Sequence, residues 1–408
     1  MKLPQTEPAP PDPRRPNPDG SARLNSAAIR RANTARIFHT LREHPGSSQR
    51  ALGELTGLDA ATISSIVTRL EVEGILQRAA PRRSGQAGRP ESLLTIAQDA
   101  GLLIGAGLEP DGISLIAAGL DGTRRLSLDL PGADDPSRAI AALQQGVTEL
   151  LMRCAMPLDK LRGIGIGIPG LLDARGHLVL APNLGWRDLP LTAMLREAFT
   201  APVQIDNDAK AAALAERIFG AVRGVGDFVF VYGNAGIGGG LYLGGRLYRG
   251  CDGLAGELGH MKIVPGGRRC GCGGLGCLEA YVSERALAAR LAESGRALGD
   301  AAMVAAAAAQ GDTVVLAVLE EAGAHLGAAL ANVVNMVNPR AVVLGGNLAT
   351  LATWLVPAAR RVLSVNGLPV MLEDAEVLVS PLGAEAVPMG GVALAMEMFQ
   401  PRDQGLAT

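Results

Sequence analysis

The segment from Glu257 to Glu279 constrains this chain more than any other. Within it stand three of the chain's five cysteines, one of its five histidines and two carboxylates. Cys270 and Cys272 flank a single glycine, Cys277 follows after four further residues, and His260 lies upstream. Three thiolates and one imidazole complete a tetrahedral set for Zn2+. Gly271, Gly273, Gly274 and Gly276 carry no Cβ, so the backbone can wrap tightly round an ion. No ligand position is left for water, which makes such a site structural rather than catalytic. The alternatives are a reduced, buried cysteine cluster or a disulfide. Three cysteines cannot pair among themselves, and no secretory context is visible, so the reading is structural zinc on His260, Cys270, Cys272 and Cys277.

The two carboxylates are the second part of the pattern. Glu257 precedes His260 by three residues, and Glu279 follows Cys277 by two. A rigid metal loop can hold acids against a polyol, because carboxylates accept charge-assisted hydrogen bonds from hydroxyls. His260 has one ring nitrogen for a metal and a second for a sugar hydroxyl. An ordinary solvated pair of glutamates explains the same residues equally well. The run Glu257-x-Gly259-His260, then Cys270-x-Cys272-Gly273-x-x-Gly276-Cys277-x-Glu279, resembles the signature of the ROK family of repressors and sugar kinases. The resemblance extends over about residues 25 to 400.

At 408 residues the chain is too long for one compact domain, and with 48% hydrophobic residues it can bury a sizeable core. The net charge of −2 hides an uneven distribution. From Arg23 to Asp99 there are 11 Arg and Lys against 7 Asp and Glu, so the rest of the chain is acidic. A basic module joined to an acidic body fits a nucleic-acid reader fused to something else. No apolar run reaches the roughly 18 residues needed to span a bilayer, and no apolar signal segment opens the chain. The expectation is a cytoplasmic protein with reduced thiols and no membrane insertion.

Residues 1–22 hold seven prolines and are expected to be disordered. Residues 23–98 read as a winged helix-turn-helix. Ile29, Asn33, Ile37, Phe38 and Leu41 recur at helical spacing, and Pro45-Gly46 ends that helix. Ser48 caps a second helix holding Leu52 and Leu55, Gly57 gives the turn, and Asp59 caps a third behind Leu58. In the third helix Ile63, Ile66, Val67 and Leu70 form one apolar stripe. Its opposite face, Ala61, Ser64, Ser65 and Thr68, is small and suits a DNA major groove better than the Glu and Lys of a solvated face. Gly74-Ile75-Leu76 and Leu93 to Ile96 read as two strands of a wing. Between them a Gly-Arg-Pro arm can lay Arg89 in a minor groove, or serve as a plain linker. The resemblance supports the DNA reading, since ROK repressors carry a winged helix here.

Residues 99–408 alternate β-rich runs with helical stretches, which implies an α/β fold. Leu102 to Leu108, Ile113 to Gly119 and Gly163 to Ile168 are strand-like, and Ala139 to Cys154 is helix-like. The resemblance refines this to a two-lobed actin-like ATPase fold with its ligand between the lobes and the chain returning to the first lobe after about residue 388. It implies that Gly170 approaches a sugar, that Asn207 binds one, and that Asp208 matches the kinases' general base. Turn geometry explains Gly170 equally well, and Asn207-Asp208 also suits a helix cap for the Ala-rich segment from Ala209 to Phe219.

The phosphate motifs depart from the kinases. Where the resemblance expects Asp-x-Gly-Gly-Thr, the chain has Gly107-Leu108-Glu109-Pro110-Asp111. Proline removes a donor, and two acids repel a triphosphate. Gly236 to Gly240 and Gly345-Gly346-Asn347 retain glycine-rich character. The leading reading is therefore a sugar-responsive repressor without useful kinase activity. It would bind a palindromic operator as a homodimer or homotetramer and be released by a monosaccharide or amino sugar. The rival is an active sugar kinase carrying a DNA-binding domain.

Overall fold

The computed structural model describes residues 26–79 and 92–401. The Pro-rich stretch 1–22 and the arm with Arg89 lie outside the described residues. The chain divides into two compact units, Met1–Ala97 with Gln400–Thr408, and Gln98–Phe399.

The first unit contains α1 (Ser26–Glu43), α2 (Gln49–Thr56) and α3 (Ala60–Val72). Ser48 caps α2 by accepting from Ala51 N, and Gly57 ends it at φ 67, a left-handed conformation that glycine adopts without strain. Asp59 caps α3 by accepting from Thr62 N at 2.8 Å. The core joins Ile37, Phe38 and Leu41 to Leu52, Ile63, Val67, Leu70 and Leu94. Two expected core residues lie outside it: Ile29 is 44% and Leu55 49% exposed. A helix as short as α2 buries one narrow side, and Thr56 fills it, its hydroxyl donating to Leu52 O. β1 (Leu76–Ala79) and β2 (Leu93–Ile96) pair antiparallel as the wing.

The second unit is built twice on one plan. β3 (Leu102–Glu109), β4 (Gly112–Gly119) and β5 (Arg124–Pro131) form an antiparallel meander. β6 (Leu161–Ile168) adds parallel to β3. A small sheet of β7 (Leu171–Leu172), β8 (Leu178–Ala181) and β9 (Trp186–Leu189) intervenes before β10 (Val203–Asn207) adds parallel to β6. β11 (Phe228–Gly233), β12 (Ile237–Leu243) and β13 (Arg246–Tyr248) then form a second meander, extended by β14 (Ala341–Gly346) and β15 (Glu376–Val379) in parallel. The two five-stranded orders, β10-β6-β3-β4-β5 and β13-β12-β11-β14-β15, are the same topology read from opposite ends. Each is one lobe.

The helices Asp208–Ile218 and Ala386–Met398 share a core with residues of the second sheet, including Phe228, Phe230 and Val343. The final helix, beginning at Ala386, also packs on the first sheet, where Gly391 meets Gly165 and Ala106. The glycines around Gly165 lie in the strand expected there and have a packing role. They lie inside β6, where Ile164, Ile166 and Ile168 take one face and Gly163, Gly165 and Gly167 the other. A Cβ on Gly165 would stand 1.9 Å from Gly391 O, and one on Gly391 would stand 2.4 Å from Gly165 O. The strand and the final helix meet backbone to backbone.

Among the described residues one helix, Thr313–Val337, is long and apolar enough to cross a membrane. It packs instead in the second-lobe core, with Val315, Leu319, Leu326 and Leu330 buried.

Gly391→Ala tests the close approach. Alanine raises helix propensity by about 1 kcal/mol, but the added methyl has no space, so a net loss of roughly 2 kcal/mol is expected. Gly299→Ala, where a Cβ meets nothing within 4 Å, is expected to be near neutral. Urea midpoints of the two variants check this, and equal midpoints would refute it.

Candidate metal centre and ligand cleft

β10 ends in Asn207, and the next residue opens the Asp208–Ile218 helix. Asn207 caps that helix, its Oδ1 accepting from Lys210 N at 3.2 Å. Its Nδ2 donates to Gly170 O at 3.1 Å and to Asp208 Oδ1 at 2.9 Å. The cap thus leaves the side-chain amide to fix the other two residues. Gly170 sits at φ 143, and a Cβ there would lie 2.7 Å from Leu180 O, so glycine is required for backbone reasons alone.

Asp208 is half-buried and also accepts from Ala209 N at 2.8 Å. Burial pushes its carboxyl up to about 6; the Ala209 bond opposes this, while the charges of Glu109 and Glu257 add to it. Burial likewise raises Glu257, against the pull of Lys210 and His260. The charge of Glu257 reaches Asp208, and Glu257 in turn feels His260 and Glu279, while Gly170 and Asn207 are joined to Asp208 by the bonds above.

Lys210 and Arg249 adjoin these residues without having been singled out from the sequence. Lys210 is buried, and its Nζ donates to Gly253 O. Asp206 takes Arg249 Nη2 at 2.7 Å and Nε at 3.0 Å. The available signal was a lone lysine within an alanine-rich helix, where a solvated face would carry several charges.

The ligand atoms of His260, Cys270, Cys272 and Cys277 all lie within 4.8 Å of one another. Cys272 and Cys277 Sγ are 3.6 Å apart, and Cys270 Sγ is 3.7 Å from His260 Nδ1. Two thiolates on a tetrahedral Zn2+ stand about 3.8 Å apart, given Zn–S bonds of about 2.3 Å, whereas a disulfide needs about 2 Å. The donor set therefore fits a tetrahedral metal. Gly273 and Gly276, both at positive φ, shape the knuckle, and a Cβ on Gly276 would collide with Val264 O at 1.8 Å. Burial pushes the Cys270 thiol up to about 12; a bound dication supplies the positive charge that ionises such a group. Glu279 adjoins the cluster, accepting from the Cys270 thiol at 3.3 Å and from Ile237 N at 3.1 Å. Glu279 is thus a half-buried brace between the loop and β12.

In the first unit, Ala61, Ser64, Ser65 and Thr68 are all exposed on α3, opposite its buried stripe.

The ROK family pattern matches residues 113–398, and a MarR family pattern matches residues 31–89. The chain belongs to the ROK family. It is 31% identical over 374 residues to the xylose repressor of Bacillus spizizenii, across 91% of this chain and 96% of that protein. A solved ROK family transcriptional regulator, a homologue of the E. coli MLC protein, superposes with TM-score 0.79 at 26% identity, covering 90% of this chain and 96% of its own. A ROK glucokinase from Streptomyces griseus, solved with glucose and AMPPNP, gives TM-score 0.63 at 30% identity, over 73% of this chain and 99% of its own. The body is the two-lobed actin-like fold of this ROK family, joined to a MarR-type winged helix.

The raised Asp208 carboxyl has a definite sign. The native state holds this proton more tightly than the unfolded chain, so stability falls as pH rises from below 3.8 through about 6. The full effect is at most about 3 kcal/mol. Asp208→Asn is expected to melt close to the parent at pH 4 and above it at pH 7. A gap that is constant with pH would show that burial does not shift this group.

Proposed function

We propose that this chain is a sugar-responsive transcriptional repressor. The α3 face binds operator DNA, and an unphosphorylated monosaccharide or amino sugar in the cleft releases it. The observation that carries the reading is an exposed face of small residues on α3 of a MarR-type domain, in the same chain as a cleft whose first phosphate turn is acidic. Pro110 and Asp111 form the tight turn between β3 and β4, where Glu109 pairs with Gly112. Phosphoryl transfer depends on donors and Mg2+ that neutralise phosphates, and this turn supplies the opposite charge. Asp208 alone, a base without that cradle, does not make a kinase. The similarity to repressors over nearly the whole chain supports the same conclusion.

In this reading Asn207, Asp208, Glu257, His260 and Glu279 receive the sugar hydroxyls, with Gly170 at the backbone. A structural Zn2+ on His260, Cys270, Cys272 and Cys277 holds Glu257 and Glu279 in place. Ser64, Ser65 and Thr68 supply hydroxyls to base edges, Ala61 supplies apolar contact, and Arg89 reaches a minor groove. The chain works in the cytoplasm as a homodimer or homotetramer on a palindromic site. Xylose is the first effector to try, given the Bacillus spizizenii relative. The sugar must favour the state that does not bind DNA; moving a 1:99 equilibrium to 99:1 takes about 10^4-fold preference.

Operator binding measured by fluorescence anisotropy, with a panel of free sugars, tests this. The effector is expected to weaken binding at least tenfold. Glu257→Ala is expected to bind DNA normally and ignore the sugar, and Ser64→Glu to lose DNA and keep sugar. A coupled assay is expected to show no ATP turnover; turnover of about 1 per second or more that vanishes in Asp208→Ala would establish the kinase instead.

The metal is checked separately. Elemental analysis is expected to find one zinc per chain in the parent and substoichiometric zinc in Cys272→Ser. Its absence from the parent would remove zinc from the account.

A further inference from the structure

β11 and β14 run parallel and end side by side at Gly233 and Gly346. Beyond those ends lies a cavity of about 230 Å³ lined by Glu109, Tyr232, Asn234, Asn347 and Thr350 among others. The crevice outside the carboxyl ends of parallel strands is where open α/β sheets take their ligands. No Lys, Arg or His stands among the lining residues, and the charged group is Glu109. Asn234 Nδ2 donates to Glu109 Oε1 at 3.1 Å. Glu109 ends β3 in the first lobe, whereas Asn234 follows β11 in the second, so this bond spans the cleft. The donor is held in place: Asn234 N donates to Gly236 O at 2.9 Å, and Asn234 O accepts from Glu284 N at 3.2 Å.

We propose that Glu109 is a built-in anion for this crevice, which joins the lobes through Asn234 and restricts the cleft to unphosphorylated ligands. A carboxylate is the acceptor that a phosphate would otherwise bring, and a donor to an ionised acceptor binds more strongly than one to a neutral oxygen. A second anion entering the same cavity meets Glu109 at short range, where partial burial weakens screening. Burial and the nearby Asp111 raise the Glu109 carboxyl, and the Asn234 bond opposes this by favouring the ionised form. The inference deepens the repressor reading by naming what the cleft refuses, yet it is measurable on the chain without DNA or sugar.

Hydrogen exchange of the segment 229–240 and calorimetric titration with pyrophosphate test it on the full chain. In the parent, pyrophosphate is expected neither to bind at millimolar concentration nor to alter exchange. Glu109→Ala and Asn234→Ala are each expected to raise exchange in the segment about threefold, and the double variant no further, because both singles break the same bond. Pyrophosphate is expected to bind Glu109→Ala at least tenfold more tightly than the parent and to restore protection. Glu109→Gln keeps an acceptor oxygen of equal reach, so it is expected to retain protection while its pyrophosphate affinity rises at least tenfold. This variant carries the test if Glu109→Ala does not fold. Additive single variants, or pyrophosphate binding equally to parent and Glu109→Gln, would overturn the proposal. Neither result bears on operator binding or sugar release.

Discussion

The cleft depends on a thin seam between the lobes. Gly165 and Gly391 let the final helix touch β6 backbone to backbone, and Gly390 does the same against the Asp208–Ile218 helix, where a Cβ would lie 2.3 Å from Ala211 C. Gly240 meets Ala213 Cβ from the second sheet in the same way. Residues without bulk keep both helices close to both sheets, so the first residue of one helix, Asp208, reaches the floor of the cleft. Close packing of backbone transmits small shifts that a looser interface would absorb.

Around that floor the protein tolerates an unusual concentration of carboxyl groups. Asp208, Glu257 and Glu109 each raise or are raised by a neighbour, and burial disfavours the charge of all three. The opposing groups are few: Lys210, His260 and the side-chain amides of Asn207 and Asn234. An arrangement of this kind lowers stability in the empty cleft and favours a ligand rich in hydroxyl donors, since each hydroxyl satisfies a desolvated acceptor.

The cysteine knuckle serves the same site from outside it. Glu279 accepts from Ile237 N while its other oxygen faces Cys270, so the ligand loop is tied to β12 by a residue that also belongs to the expected sugar set. Arg268 extends the attachment, its guanidinium over Tyr281 and pairing with Glu321 on the Thr313–Val337 helix. The loop is thereby anchored to the second-lobe core on two sides. Glu257 and His260 sit at its start, where any loosening would be felt first.

Much of this was legible in the residues alone. Spacing brought His260, Cys270, Cys272 and Cys277 together, because a short glycine-rich loop leaves few ways to arrange four ligands. Caps and periodicity located α2, α3 and the exposed face of Ala61, Ser64, Ser65 and Thr68, because these are local effects of hydrogen bonding and burial. What only the tertiary structure decided is long-range. The repeated topology of the two lobes leaves no sequence repeat to read. The close-packing role of the β6 glycines could not be read locally, since their partner lies more than two hundred positions away at Gly391. Lys210, Arg249 and Asn234 acquire roles only when separate strands and loops meet. Local pattern specifies a residue's own conformation, but the value of a buried charge depends on which distant groups share its space.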